Sequence, residues 1–242
     1  MFEELTKTLD SFIEDYGIPF YDCIVMQNGE CVYRRANGFT NAAKTKTVSG
    51  KELYNIYSCS KLITCTAALQ LYEKGMIKLE DELWRYMPEF RNMTVRTESG
   101  VVPSEKKITV ENLFTMTAGL SYDLNSPMLK KCREETNGEC PTVETMKYLA
   151  KEPLLFEPGC RWEYSLCHDV LAALVEVVSG MRFGEYVKKN IFDVCDMEHS
   201  TFLPDAETID SIVTQYRYNE AEKRVEECPK SNGYRIGTKY ES

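Results

Sequence analysis

Strand patterns stand at both ends of this 242-residue chain and helical patterns fill its middle. That order restricts the fold to an α+β class. Strands from the two ends are expected to share one antiparallel sheet, with the helical stretch inserted as a second lobe. Near the start, Tyr21–Gln27 and Cys31–Ala36 read as strands. Asn28-Gly29 between them is a strong signal for a tight hairpin, because both central positions of that turn need a positive φ. A second alternating stretch, about 212–228, turns around Asn219 to Glu222. The expected organisation is one domain: an N-terminal helix and hairpin (1–57), a mainly helical lobe (58–211) and the start of returning strands (212–242).

Ahead of the first hairpin, Leu5, Leu9, Phe12, Ile13 and Tyr16 lie at helical spacing, and Gly17 and Pro19 stop that helix. After a loop-like stretch over 37–53 and extended chain at Tyr54 to Tyr57, Leu62, Cys65, Leu69, Tyr72 and Met76 follow at 3-4-3-4 spacing. This predicts one buried stripe on a core helix that ends at Gly75. Residues 81–90 read as short and irregular around Pro88, and 91–107 as polar loop. Thr109 can cap a helix over 110–118 closed by Gly119, and 121–141 again reads as loop. Further helices are predicted at 142–151, 167–179 and 182–190.

Ser58-Cys59-Ser60-Lys61 opens the core helix. Residues three apart share a helix face, so Lys61 can reach the Ser58 hydroxyl. Free N–H groups and partial positive charge at a helix start would stabilise an alkoxide there. The three features together suggest an activated serine nucleophile; the bland reading is a helix cap. The chain carries its own control. Ser104-Glu105-Lys106-Lys107 has the same spacing in a charged stretch with no apolar periodicity, and a solvated loop accounts for it.

Charge narrows the partners. Lys and Arg number 29 against 38 Asp and Glu, a net charge of −9, which argues against nucleic acid and against an anionic membrane surface. No run of about 18 apolar residues occurs, and the N-terminus lacks a basic, apolar leader pattern, so a cytoplasmic setting is expected. Ten cysteines without a Cys-x-x-Cys read as mostly reduced thiols behaving as small apolar groups. Cys160, Cys167 and His168 lack zinc-site spacing, so no metal or cofactor is expected.

Several stretches, in order, resemble the β-lactamase-related serine hydrolases, a group spanning class C β-lactamases, D-alanyl-D-alanine carboxypeptidases, family VIII esterases and D-aminopeptidases. They are Gly38-Phe39-Thr40-Asn41, the Ser58–Lys61 motif, Gly75-Met76-Ile77-Lys78-Leu79-Glu80-Asp81 with Tyr86-Met87-Pro88-Glu89-Phe90, Ile108 to Leu120, and Glu157-Pro158-Gly159 leading to Tyr164-Ser165-Leu166. The resemblance implies a β-lactamase/transpeptidase-like fold, an antiparallel sheet with flanking helices plus a helical lobe. It also implies Ser58 as nucleophile, with Lys61 and Tyr164 taking its proton, and acyl transfer followed by hydrolysis of a small ester, amide or D-amino-acid peptide. Tyr122, Trp162 and Leu166 are the candidate substrate-contacting residues.

Two departures from that pattern stand out. Leu166 takes the place of the family's asparagine in the Tyr-Ser-Asn type motif, and no late Lys-Thr-Gly or His-x-Gly follows. A family member would continue for roughly another hundred residues. Ile236 to Ser242 reads as the middle of an element, so a C-terminally truncated chain is expected, with the last strands of the sheet missing and strand edges exposed. The alternative reading is therefore a catalytically incomplete ligand-binding module of the same fold. A Ser-His scheme through His168 or His199 finds no Gly-x-Ser-x-Gly elbow, and His168 reads as a capping or surface residue.

Overall fold

The computed structural model describes residues 2–202 and 204–228. The expectation placed on residues 236–242 lies outside them. The chain divides into two compact units, one built from residues 2–55 with 204–228 and the other from 56–202.

In the first unit, α1 (Glu3–Glu14) precedes β1 (Phe20–Gln27) and β2 (Glu30–Gly38). Gly17, at φ 66°, lets the chain leave the helix. The strands pair antiparallel with Gln27 opposite Glu30, and Asn28 and Gly29 take φ of 53° and 83°, as the sequence predicts. Asp10 on α1 fixes the helix to the hairpin. Its carboxylate accepts from Tyr21 Oη at 2.6 Å and pairs with Arg35 Nη2 at 2.8 Å. Asp205 caps a short helix, α8 (Ala206–Ser211), that sequence patterning missed. The hairpin of β5 (Tyr216–Asn219) and β6 (Arg224–Glu227) forms where it was expected.

The single shared sheet does not appear among the described residues. The strands form separate antiparallel pairs, β1 with β2 and β5 with β6, and a lone bridge from Leu53 to Ile212 ties the returning segment back to the N-terminal part.

The second unit is helical. After a 3-10 turn at Tyr57–Cys59 come α2 (Ser60–Glu73), the hairpin β3 (Thr94–Thr97) and β4 (Gly100–Pro103), then α3 (Val110–Phe114), α4 (Pro127–Glu135), α5 (Thr142–Leu149), α6 (Cys167–Ser179) and α7 (Phe183–Val187). Helix α6 lies at the centre, packed against α2, α3, α5 and α7, and its residues 170–175 are all buried because neighbours cover that stretch, while Asp169 and Val177 face solvent. Its Leu171 and Leu174 join Leu71, Leu83, Phe90 and Leu113 in the core.

Four expectations need correction here. The buried face of α2 is Thr64, Ala67, Ala68 and Leu71, not the predicted stripe; Leu62 (75% exposed), Leu69, Tyr72 and Met76 face outward. Small side chains let two helices approach closely, and an apolarity count that favours large residues overlooks such a face. Residues 91–107 contain the β3–β4 hairpin, turned at Gly100 (φ 122°). The stretch 121–141 contains α4, started by the Ser126 cap and Pro127 in the first turn, with Leu129 and Cys132 buried. Helix α3 stops at Phe114 rather than 118. Its Thr109–Asn112 capping box starts it as predicted, and Met116, at φ 55°, breaks it early. No helix among the described residues is long and apolar enough to cross a membrane.

Candidate active site

Ser58 sits in a single 3-10 turn, Tyr57–Cys59, that feeds directly into α2. Tyr57, the residue before it, holds φ 43°, a left-handed backbone that costs a side-chain-bearing residue about 1–3 kcal/mol. Such strain persists only where surroundings enforce it. Here Ser60 Oγ donates to the Tyr57 carbonyl and holds the turn, so Ser60 has a structural part, as its place on the opposite helix face predicts. The turn leaves Ser58 exposed and puts Lys61 in the first turn of α2.

Tyr164 reaches the same place from a different part of the unit. The segment 155–166 runs beside 116–121 through backbone hydrogen bonds: Leu155 N–H to Gly119 O (2.7 Å), Gly159 N–H to Thr117 O (2.8 Å), Glu163 N–H to Met116 O (3.1 Å) and Leu166 N–H to Ser121 O (3.1 Å). The last two bracket Tyr164. Gly119 is required in this ladder, because at φ 82° a Cβ there would lie 2.2 Å from the Phe156 carbonyl oxygen. Glu157 clamps the turn before it, accepting from Ser104 Oγ at 2.7 Å and from the backbone N–H groups of Glu105 and Lys106. The decoy serine thus serves to anchor that turn, and Lys107 is held away on the Arg91 carbonyl.

The resulting geometry is tight. Ser58 Oγ and Tyr164 Oη share a hydrogen bond of 2.5 Å, and Lys61 Nζ lies 3.4 Å from Ser58 Oγ. Lys61 Nζ also stands 4.9 Å from the centre of the Tyr164 ring and 5.8 Å from that of Tyr122. The two rings meet edge-on with centroids 5.0 Å apart. Burial raises the Tyr164 pKa, but hydrogen bonds from Lys61 and Ser58 and the lysine's charge outweigh it, and the net shift is downward. Tyr122 is pushed upward, chiefly by burial. The two phenols therefore differ, and Tyr164 gives up its proton more readily.

The structure brings Ser58, Lys61, Tyr164 and Tyr122 together. Trp162 is 63% exposed, and Leu166 is 4% exposed within the helical core, where its backbone begins α6. His168 departs from its expected surface role. It is 9% exposed, with Nε2 3.3 Å from the Phe114 carbonyl and 3.7 Å from Cys65 Sγ. Burial, countered by the Phe114 carbonyl and aided by the charge of Lys61, lowers its pKa. Helical spacing carried the missed signal, since Cys65 lies one turn beyond Lys61 on α2. Among the described residues, no group of His, Cys, Asp and Glu side chains could hold a metal ion.

A family model described as Beta-lactamase matches residues 5–238. Esterase EstB of Burkholderia gladioli is 34% identical over 205 residues, covering 82% of this chain and 51% of the esterase. A lovastatin esterase of Penicillium rubens is 32% identical over 192 residues, covering 75% of this chain and 48% of the relative. Among solved structures, EstCE1, described as a hydrolase with promiscuous acyltransferase activity, superposes with a TM-score of 0.75 at 22% identity over 98% of this chain and 63% of that one. The chain thus spans about half the length of these curated relatives. With the matched model running almost from end to end, and with the β-lactamase/transpeptidase α+β fold shared with its structural neighbours, the chain belongs to the Beta-lactamase family.

Proposed function

We propose that this chain carries the nucleophile, base and first cleft wall of a serine hydrolase that cleaves a small ester or amide through an acyl-Ser58 intermediate. The observation that carries the reading is the convergence of Ser58, Lys61 and Tyr164 on one hydroxyl, with contacts of 2.5 and 3.4 Å. A serine hydroxyl is a weak nucleophile until its proton has a place to go. Tyr164, its phenol acidified by Lys61, takes that proton as Ser58 Oγ bonds to the substrate's carbonyl carbon. Lys61 and Tyr164 act as one proton-holding pair. The proton then passes to the departing alcohol or amine as the scissile bond breaks, and water hydrolyses the acyl-serine by the same route in reverse. The backbone N–H of Ser58 is one expected donor to the oxyanion.

Esterase names among the relatives support an ester or amide as the substrate class. Tyr122 and the exposed Trp162 supply aromatic surface for the acyl or leaving group. A cytoplasmic setting belongs to this reading too, supported by ten cysteines that are all free thiols. The test is covalent labelling of the full chain with an activated p-nitrophenyl ester, followed by intact mass. Wild type should gain one acyl group at Ser58 and Ser58→Ala none; an adduct of equal yield in Ser58→Ala would overturn the assignment.

A further inference from the structure

The N–H expected to hold the oxyanion belongs to the peptide that joins Tyr57 to Ser58, so whatever fixes that peptide fixes the donor. The bond is trans. In a trans peptide the carbonyl and the N–H share one plane and point in opposite directions. Here the carbonyl end is held twice by one residue. Ser60 Oγ donates to the Tyr57 oxygen, and the Ser60 N–H is shared between that oxygen and the Ser58 carbonyl. Both donors come from the start of α2. The Tyr57 oxygen therefore faces the helix, and the Ser58 N–H faces away from it.

Ser60 is anchored in turn. Thr64, buried on the core face of α2, donates its hydroxyl to the Ser60 carbonyl at 3.2 Å. The Cys59 N–H closes the turn on the Ile56 carbonyl at 2.9 Å. A hold of this kind is needed, because Tyr57 sits at φ 43°, a strained backbone that persists only where its surroundings over-determine it.

We propose that Ser60 is a positioning residue for the oxyanion donor: its hydroxyl locks the strained Tyr57–Ser58 peptide, so that the Ser58 N–H is aimed before substrate arrives. The inference rests on the hydrolase reading. As Ser58 Oγ bonds to the carbonyl carbon, an electron pair of the C=O bond moves to oxygen. A donor already oriented stabilises that charge without reorganisation. The hydroxyl has a second effect: donors on the Tyr57 oxygen polarise the peptide and strengthen its N–H. Both effects grow as the negative charge develops, so losing them slows acylation more than it weakens ester binding.

Ser60→Ala removes the hydroxyl and keeps the backbone bonds; Ser60→Thr keeps both. Each variant of the full chain should be compared with wild type in two measurements. One is single-turnover acylation by the p-nitrophenyl ester. The other is equilibrium binding of phenylboronic acid, whose boron accepts an electron pair from Ser58 Oγ and places an oxygen where the oxyanion forms. Ser60→Ala should lower the acylation rate constant and weaken boronate binding by the same factor. That factor should be roughly tenfold, part of the 10²- to 10³-fold lost when an oxyanion donor is removed outright. Affinity for the ester should hold, and Ser60→Thr should restore both measurements. A smaller folded fraction cannot imitate this result, because it lowers amplitudes and not the rate constant or Kd of the molecules that remain. Boronate binding unchanged in Ser60→Ala, or a slowed acylation that Ser60→Thr leaves slow, overturns the proposal alone. A wild type that takes neither ester nor boronate at Ser58 overturns the hydrolase reading and the proposal with it.

Discussion

The Ser58 hydroxyl and the Tyr164 phenol, 106 residues apart in sequence, share a single hydrogen bond of 2.5 Å. The phenol combines that distance with a lowered pKa. Removing its oxygen leaves the ring, its edge contact with Tyr122 and the fold in place. Tyr164→Phe should therefore slow acylation of Ser58 by about 10²- to 10⁴-fold, the usual worth of a positioned general base. Substrate affinity should change little. Single-turnover kinetics with the p-nitrophenyl ester separates the two, and an unchanged acylation rate would remove Tyr164 from the chemistry.

Lys61 should set the pH at which Tyr164 works. The phenol accepts the Ser58 proton only when ionised, so acylation rises with pH through the Tyr164 pKa. That pKa lies below the ordinary 10.0 because hydrogen bonds from Lys61 and Ser58 and the charge of Lys61 outweigh burial. Lys61→Met removes the lysine's hydrogen bond and charge together while keeping a long side chain. The rising limb of the acylation profile should then move to higher pH, with a lower rate at neutral pH. A limb that stays in place would mean that the lysine does not tune the phenol.

Helix α2 shows where sequence reading succeeds and where it stops. The Ser58–Lys61 spacing was legible because helical geometry alone places the two groups on one face. The hairpin at Asn28-Gly29 was legible because backbone sterics restrict that turn to few residue types. The Tyr164 position came through the ordered motifs, and its contact with Ser58 depends on the long-range ladder between 116–121 and 155–166, which no local pattern encodes. The face of α2 was misread because Ala67 and Ala68, buried against the core, carry little apolar weight, whereas Leu62 and Leu69 carry much and point outward. Helix α4 was missed because only two of its residues, Leu129 and Cys132, are buried, too few to make a stripe. His168 was misplaced because its partners, Cys65 and the Phe114 carbonyl, come from two other helices.

Leu166 provides a direct test of the departure at the second motif. The sequence difference invites Leu166→Asn as a repair that would restore a carboxamide to the site. The structure gives the opposite expectation for stability, because the side chain is 4% exposed in the helical core. Losing the buried leucine costs about 2 kcal/mol, and an amide left without partners there adds about 1–3 kcal/mol. Leu166→Asn should thus lower the unfolding midpoint in urea clearly, without faster acylation of Ser58. A variant as stable as wild type would show that this position opens to solvent or to the site.

Asp10 makes the acid response of the first unit predictable. Its carboxyl is held below the ordinary 3.8 chiefly by the hydrogen bond from Tyr21, with Arg35 and Asn37 adding to it against burial. A depressed folded-state pKa gives stability that is fully present above the unfolded value and lost as pH falls through the folded value. Unfolding temperatures should therefore stay level from neutral pH down to the ordinary aspartate range and drop below it. In Asp10→Asn the neutral-pH stability should already be reduced, because Arg35 loses its ionic partner and Tyr21 its charged acceptor. The further fall on acidification should be shallower than in wild type. Parallel acid curves for the two proteins, measured by circular dichroism, would place the acid sensitivity elsewhere.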